Sequence, residues 1–194
     1  MMEFLEKRKV AIRIMKNSFD GNDAVHYSIG KIGLGYSFRK EALARFMFDF
    51  CERRSGVYLS KNNQGIICFY LNTIPVCWIY NLWDELCIGL LAIGPLRVFR
   101  VLKRSSLVSK ARASHGEHLH CWYLGVESDA RTMTTAIELK NLLYSASSKT
   151  GLSVLAETTM TQNRDVYMRM GFRVYEEIRL RGLITYCLIL DPPL

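Results

Sequence analysis

Two strand-like runs joined by one helix-like run, in the second half of the chain, constrain the fold most. The runs 119–126 (LHCWYLGV) and 152–158 (LSVLAET) are apolar and short enough to be buried strands. The run between them repeats apolar residues on one side of a helix, namely Ala136, Leu139, Leu142, Leu143 and Ala146. Two strands of one sheet that are joined by a helix run parallel, so the sequence predicts an α/β fold with a parallel strand pair.

The rest of the chain adds helices before this unit and a hairpin after it. Apolar residues at helical spacing predict a first helix (Leu5, Ile12, Met15, Phe19), a second helix (Leu43, Phe46, Met47, Phe50, Cys51) and further helix within 82–114. Residues 56–71 predict a β-hairpin around the turn-forming KNNQ, and 173–180 with 184–190 predict another. The 194 residues are enough for one well-filled core, so we expect a single domain over residues 1–194.

The segment 162–174 (QNRDVYMRMGFRV) spaces an amide, a phenol and a glycine four residues apart. Asn163 and Tyr167 would project from one face of a short helix, where both could touch the same ligand. Gly171 falls where the helical pattern stops and can adopt the left-handed conformation that ends a helix. The segment therefore predicts a helix, a glycine cap and a strand. Taken by itself, the segment favours the simpler interpretation, with Tyr167 as a half-buried packing residue and Asn163 as an ordinary start-of-helix residue.

The cysteines and the apolar segments indicate a cytoplasmic protein. None of the six cysteines forms a C-x-x-C pair, and several lie in apolar strand-like runs, which is typical of buried thiols in a reducing compartment. The N-terminal residues lack the pattern of a signal peptide. The longest apolar region, 74–96, contains Asp84 and Glu85, which favours a buried helix over a membrane span.

The formal charge of +8 is concentrated in part between residues 97 and 112. Val98, Val101, Leu102 and Leu107 interleave with the basic residues at roughly helical spacing, so we predict a surface helix with a solvated basic side. No aromatic stacking platform or zinc-finger spacing accompanies the charge, and a nucleic-acid partner is therefore disfavoured. The basic side could steer a phosphate-bearing cofactor or an acidic partner. The basic residues in question are Arg97, Arg100, Lys103, Arg104, Lys110 and Arg112.

The runs WYLGVESDARTMTTAIELKNLL and LSVLAETTMTQNRDVYMRMGFRVYEE, with the closing ITYCLIL, resemble the GNAT superfamily of N-acetyltransferases. The resemblance covers residues 118–190, and the two predicted N-terminal helices and the first hairpin fit the same order of elements. It implies a mixed, mostly antiparallel twisted sheet flanked by helices, with a central parallel strand pair that splays apart. It also identifies 162–174 as the fourth-helix element of that fold.

The resemblance implies acetyl-CoA as co-substrate, with its pantetheine arm along Leu124, Gly125 and Val126. Its pyrophosphate would lie at the start of the following helix, residues 131–136, where unpaired N–H groups favour an anion. In the phosphate-loop pattern of the family Arg131 and Ala136 match, whereas Thr134 replaces a glycine. A β-branched residue disfavours positive φ and adds bulk at such a position. The hydroxyls of Thr132, Thr134 and Thr135 either bind phosphate or belong to a threonine-rich first turn.

For the chemistry, the resemblance implies that Tyr167 is the general acid toward the CoA sulfur. A phenol stays protonated at neutral pH and can donate to a thiolate. Asn163 would hydrogen-bond the pantetheine arm or an ordered water. Backbone N–H groups near Val126 would face the thioester oxygen.

The general base is left open among several residues. Glu157 matches a glutamate of the family on the second splayed strand, where it is either the base or a surface residue at a strand end. Glu127, His118 and His120 lie near the first strand. The two histidines should share a strand face, but a metal site needs a third ligand, so no metal is predicted.

Three hypotheses follow for the function. The first is acetyl transfer from acetyl-CoA to a primary amine, on a small molecule or a protein, by direct attack in a ternary complex. The second, favoured by Thr134, is a catalytically impaired acyl-CoA-binding sensor or scaffold. The third, a nucleic-acid-associated protein, rests on charge alone. Tryptophans at 78, 83 and 122 are candidates for lining the acceptor cleft.

Overall fold

The structure is a computed structural model that describes residues 2–30, 33, 35–74, 92–127 and 133–192. The helices are Met2–Ser18 (α1), Asp23–Ile29 (α2), Tyr36–Glu52 (α3), Pro95–Ala113 (α4), Met133–Thr150 (α5) and Thr161–Arg169 (α6). The strands are Val57–Leu59 (β1), Gly65–Leu71 (β2), Leu119–Val126 (β3), Val154–Thr158 (β4), Arg173–Leu180 (β5) and Leu183–Leu190 (β6). The predicted order of elements is confirmed, except that α2 is additional.

The strands form one mixed sheet in the order β1-β2-β3-β4-β6-β5. Strands β3 and β4 run parallel, and the other neighbouring strands run antiparallel. The parallel pair arises because α5 carries the chain from the end of β3 back to the start of β4. The predicted α/β class, with a mostly antiparallel sheet and one central parallel pair, is confirmed.

Successive residues of a strand point to opposite faces of the sheet, and in these strands both sets include apolar residues. Helices therefore cover both faces. On one face, α1 and α3 pack over β2 through Ile66 and Cys68, while α4 packs over β5 and β6 near Ile178 and Cys187. On the other face, α5 and α6 pack on a second cluster that includes Ile67, Phe69, Cys121, Ala156 and Leu188.

The pairing of β3 with β4 is short, and this positions the site. Three residue pairs join the strands, ending at Cys121 and Ala156, although β3 continues to Val126 and β4 to Thr158. Just beyond, β3 carries a bulge at Trp122, where its register against β2 shifts. A bulge increases the local twist and bends a strand, which directs the end of β3 away from β4. The predicted splay of the central strands is confirmed.

Helix α5 differs from the prediction in which residues it buries. Leu139 and Leu143 are fully buried as predicted, but Thr135 and Ser147 share their face, and Ala136 is exposed. The assignment of Ala136 to the apolar side is therefore wrong. The buried side of the first turn faces the β1–β2 hairpin, where Thr135 approaches Gly65 so closely that a Cβ there would lie 2.6 Å from Thr135 Cγ2.

Helix α2 is the element that the sequence reasoning did not anticipate. Asn22 caps it, since Asn22 Oδ1 accepts hydrogen bonds from the backbone N–H groups of Ala24 and Val25, at 3.0 and 3.2 Å. The pair Asn22–Asp23 after Gly21 is a recognisable helix start, but seven residues are too few to show a helical period.

The cysteines at 51, 68, 121 and 187 are buried free thiols, as predicted. The cysteines at 77 and 87, and most of the apolar region 74–96 for which we predict a buried helix, lie outside the described residues. Within the parts that the structure describes, the helices are too short or too polar to span a membrane.

Candidate active site

A cleft of about 480 Å³ opens beside the point where β3 and β4 diverge. Helices α2, α3 and α4 form one wall, and β3, β4 and α6 form the other. Among the residues predicted from the sequence, those that line it are Trp122, Leu124, Glu157, Asn163 and Tyr167, together with His120. Residues from both halves of the chain therefore meet in one cavity.

The edge of β3 beyond Cys121 offers backbone groups to this cleft. The N–H of Glu127 donates to Gln64 O of the hairpin at 2.9 Å. Because backbone groups alternate in direction along a strand, those of Leu124 and Val126 point to the opposite edge, which β4 has left. This edge can pair with an extended ligand arm.

Tyr167 and Asn163 lie one turn apart on α6 and both line the cleft, which confirms that they share a face. Asn163 is exposed, and its Nδ2 contacts Met160 Sδ at 3.5 Å. Tyr167 is only 9% exposed and belongs to the same buried cluster as Cys121. Burial, and to a lesser degree Cys121, raises the pKa of Tyr167 well above its usual value. The phenol is therefore protonated at neutral pH.

Gly171 holds α6 in place. Its φ is +91°, and a Cβ there would lie 2.6 Å from the hydroxyl of Tyr144, which donates to Met170 O. After the glycine, the N–H of Phe172 returns to Tyr167 O at 3.1 Å, and the two rings meet edge to face at 5.1 Å. The predicted helix, glycine cap and strand are confirmed, and the glycine is required both by its conformation and by lack of space.

Glu157 is not a surface residue, so that alternative is wrong. Its side chain is 10% exposed, and its Oε2 lies 2.9 Å from His120 Nε2. Glu157 Oε1 lies 3.4 Å from Arg112 Nε and is buried without a hydrogen bond within the described parts of the chain. Tyr70 completes the group, since its hydroxyl lies 2.9 Å from His120 Nδ1. Arg112 Nη1 lies against the His120 ring, 2.7–2.8 Å from both ring nitrogens.

The charges of this group keep Glu157 ionised. Burial alone would raise its pKa, but His120, Arg112 and Arg104 together outweigh burial and lower the pKa below its usual value. Glu157 is therefore an anion at neutral pH with one oxygen, Oε1, still able to accept a hydrogen bond.

Of the other predicted base candidates, His120 lines the cleft, whereas His118 and Glu127 do not. His118 is buried with Nδ1 2.7 Å from Gly116 O, and burial lowers its pKa. Glu127 is engaged by Arg13 at 3.1 Å. The described residues contain no group of three or more side chains suited to hold a metal ion.

The phosphate-loop residues are described only in part, because Arg131 and Thr132 lie outside the described residues. Thr134 is exposed in the first turn of α5 and is not among the non-glycine residues with positive φ. The expectation that Thr134 would be conformationally disfavoured is therefore wrong. Thr135 does not face outward, since its Oγ1 accepts a hydrogen bond from Asn62 Nδ2 at 2.9 Å and its side chain is buried.

An aromatic cluster lines the cleft where α3 packs against the sheet. Trp122 meets Phe46 and Phe50 edge to face, at 5.8 and 4.7 Å, and Phe50 meets Tyr70 at 5.6 Å. The prediction for Trp122 is confirmed, whereas residues 78 and 83 lie outside the described residues. Sequence reasoning placed Phe46 and Phe50 in a helix without assigning them to the site, since an aromatic residue in an amphipathic helix is usually core.

Helix α4 does not present a simply solvated basic side, so that prediction is wrong. Arg104 and Arg112 point into the cleft, and Arg100 Nη2 donates to Tyr27 O across from α2. Phe99 and Leu102, by contrast, are 79% and 57% exposed. The seven- to eight-residue spacing of Arg97, Arg104 and Arg112 could have indicated an inward basic stripe.

By sequence, no protein-family profile and no curated protein matches the chain. By structure, an apo variant of agmatine N-acetyltransferase superposes with a TM-score of 0.65 at 12% identity, over 96% of this chain and 95% of that one. A mosquito arylalkylamine N-acetyltransferase like 5b gives 0.62 at 13% identity, over 96% of each chain. A structure named histone acetyltransferase HPA2 and related acetyltransferase, from Corynebacterium glutamicum, gives 0.62 at 13% identity, over 97% and 93%. The chain therefore has the fold of the GNAT N-acetyltransferases.

Proposed function

We propose that the protein is an acetyl-CoA-dependent N-acetyltransferase that transfers the acetyl group to a primary amine by direct attack in a ternary complex. The observation that carries this proposal is the end of β3–β4 pairing at Cys121 and Ala156, with Tyr167 beside the resulting gap. The gap gives a thioester arm a strand edge to pair with, and Tyr167 gives it a proton donor.

The cofactor would lie along β3 and end at α5. Its pantetheine arm would pair with the backbone of Leu124, Gly125 and Val126, and its pyrophosphate would bind residues 131–136, which include the start of α5 at Met133. The free N–H groups of a helix start favour such an anion. Thr134 does not have a positive φ, so only its bulk, and not its conformation, favours an impaired acyl-CoA sensor.

The transfer needs a neutral amine, a polarised thioester and a protonated leaving thiolate. The nitrogen–carbon bond forms as the carbon–sulfur bond breaks, and the hydroxyl of Tyr167 supplies the proton that the CoA sulfur gains. Burial raises the pKa of Tyr167, which weakens the donor, but the same low polarity also destabilises a nearby thiolate and offsets part of that loss.

Glu157 is the proposed acceptor of the amine proton. Its Oε1 is buried without a hydrogen-bond partner among the described residues, and the lowered pKa of Glu157 keeps the carboxylate unprotonated at neutral pH. His120 and Tyr70 are positioning residues, since they hold the other carboxylate oxygen and the imidazole ring. Asn163 would hydrogen-bond the pantetheine arm or a water next to it.

The first experiment is calorimetric titration of the protein with acetyl-CoA and, separately, with CoA. We expect dissociation constants in the micromolar range for both. Thr134→Glu should weaken both by about tenfold or more, because it places a second anion where the pyrophosphate binds. The matched control is Asn141→Glu, which adds the same charge to an exposed position two turns along α5 and should leave binding unchanged.

Turnover is then followed as thiol release with a panel of primary amines, with the acetylated product confirmed by mass. Acetyl-CoA binding without acetylation of any amine would contradict the enzyme and support the sensor. Failure to bind either nucleotide would contradict both functions.

A further inference from the structure

Among the described residues, the side chains with fixed charge that line the cleft are Arg104, Arg112 and Glu157. Within this part of the chain, two cations therefore face one anion. Arg112 is the cation in contact with Glu157, at 3.4 Å. Arg104 forms no such ion pair among the described residues and is therefore the unbalanced charge.

Arg104 is held rigidly with most of its hydrogen-bonding capacity unused. Its Nε donates to Thr185 Oγ1 at 3.1 Å, and Thr185 is itself 1% exposed. Within the described residues this is the only hydrogen bond of the guanidinium, which has five N–H donors. The remaining donors belong to a side chain that lines the cleft.

A partly buried guanidinium without an anion in direct contact is costly, and burial is the main reason that the pKa of Arg104 is lowered. Its planar fork fits a carboxylate in two parallel hydrogen bonds. Glu157 in turn can accept a hydrogen bond from a cation, because its Oε1 lacks a hydrogen bond among the described residues. Glu157 is also near enough to Arg104 for their charges to influence each other. A ligand that carries both an ammonium and a carboxylate would satisfy both residues.

Much of the remaining lining of the cleft is apolar. It includes the aromatic rings of Phe46, Phe50 and Trp122 and the aliphatic side chains of Val101 and Val108. Such a wall accepts a large apolar side chain.

We propose that the acceptor is an amino acid with a large apolar side chain, whose carboxylate is bound by Arg104 and whose amine lies at Glu157. This inference rests on the acetyl transfer proposed above. Arg104 is then the residue that selects amino acids over simple amines. A site built to pair with a charged group rejects a ligand that lacks it, because its own charge is left unpaired.

The test compares matched acceptors that differ only in the carboxylate: phenylalanine with phenethylamine, and leucine with isoamylamine. We expect kcat/KM to be at least tenfold higher for each amino acid. Arg104→Gln should remove this preference by raising the KM of the amino acids, while the simple amines change less than threefold. Arg104→Lys should retain part of the preference, since it keeps the charge and loses the fork. Lys103→Gln, which removes an exposed charge from the same helix, should change nothing.

Equal or faster turnover of the simple amines by the unaltered protein would overturn the inference while leaving acetyl transfer intact. Binding is measured independently of turnover by titrating phenylalanine into the CoA complex. If nothing is acetylated, phenylalanine binding that Arg104→Gln abolishes would still support the carboxylate site. Absence of phenylalanine binding would overturn it.

Discussion

The two walls of the cleft are built in different ways. The β4–α6 wall places Glu157, Asn163 and Tyr167 within eleven consecutive residues, held by the cap at Gly171. The α2–α3–α4 wall gathers Phe50 and Arg104 from two helices that are distant in sequence and that both contact α2. The difference indicates that the chemistry depends on a local motif, whereas acceptor selection depends on long-range assembly.

The largest effect on turnover is expected at Tyr167, in the β4–α6 wall. Tyr167→Phe should lower turnover by about 100- to 1,000-fold, because it removes the proposed proton donor and keeps the ring that packs on Phe172. Acetyl-CoA affinity, measured by calorimetry, should stay within about threefold. A parallel loss of affinity and turnover would contradict the acid role.

Glu157→Gln should destabilise the protein by about 3 kcal/mol, since it leaves Arg112 in the cleft without its anion. Because the folded-state pKa of Glu157 is lowered, this stabilisation is present above its usual pKa of about 4.5 and is lost as pH falls through the folded value. Urea unfolding should therefore show a gap between the two proteins at pH 7 that narrows in acid. Glu177→Gln, which alters an exposed pair with Arg179, is the control and should show almost no gap.

Gly171→Ala should cost about 2 kcal/mol and more than Gly151→Ala. Both glycines have positive φ, but a Cβ at 171 meets Tyr144 whereas a Cβ at 151 meets nothing within 4 Å. Thermal unfolding of the two variants separates the conformational cost, which they share, from the steric cost. Equal destabilisation would show that the Tyr144 contact relaxes at no cost.

Phe50→Leu should raise the acceptor KM several-fold, equivalent to about 1 kcal/mol, without changing acetyl-CoA affinity. It removes a ring that packs 4.7 Å from Trp122 and lies 3.7 Å from the Arg54 guanidinium. Phe38→Leu alters a ring that is 60% exposed and serves as the control. A change in acetyl-CoA affinity would show that the two walls are not separable.

The smallest effect is expected away from both walls. Glu41, bonded by Lys16 and then by Arg45, has its pKa lowered to about 2, yet its side chain is 35% exposed. Its contribution is present above about pH 4.5 and is lost as pH falls toward 2. Glu41→Gln should change the free energy of unfolding by about 0.5 kcal/mol or less at pH 7, because solvent screens such a pair. A shift above about 1 kcal/mol would show tighter coupling between α1 and α3.

The sequence by itself determined the parallel strand pair, the hairpins, and the face shared by Asn163 and Tyr167. These follow from periodicity and caps, which act between residues a few positions apart. The sequence-based prediction was wrong where it assigned one side of a helix to the core or to solvent without knowing which element packs against that helix. Ala136 on α5 and the basic side of α4 are the two cases.

Only the tertiary structure decided the partners of Glu157, the orientation of Arg104, and the aromatic wall at Trp122. A side chain's burial, charge state and contacts depend on which distant segments the fold brings against it. His120 and Glu157 are 37 positions apart in the sequence. They meet because the parallel register of β3 and β4 pairs His120 with Leu155, which places the side chains of His120 and Glu157 on the same face of the sheet. No pattern within either strand specifies that register.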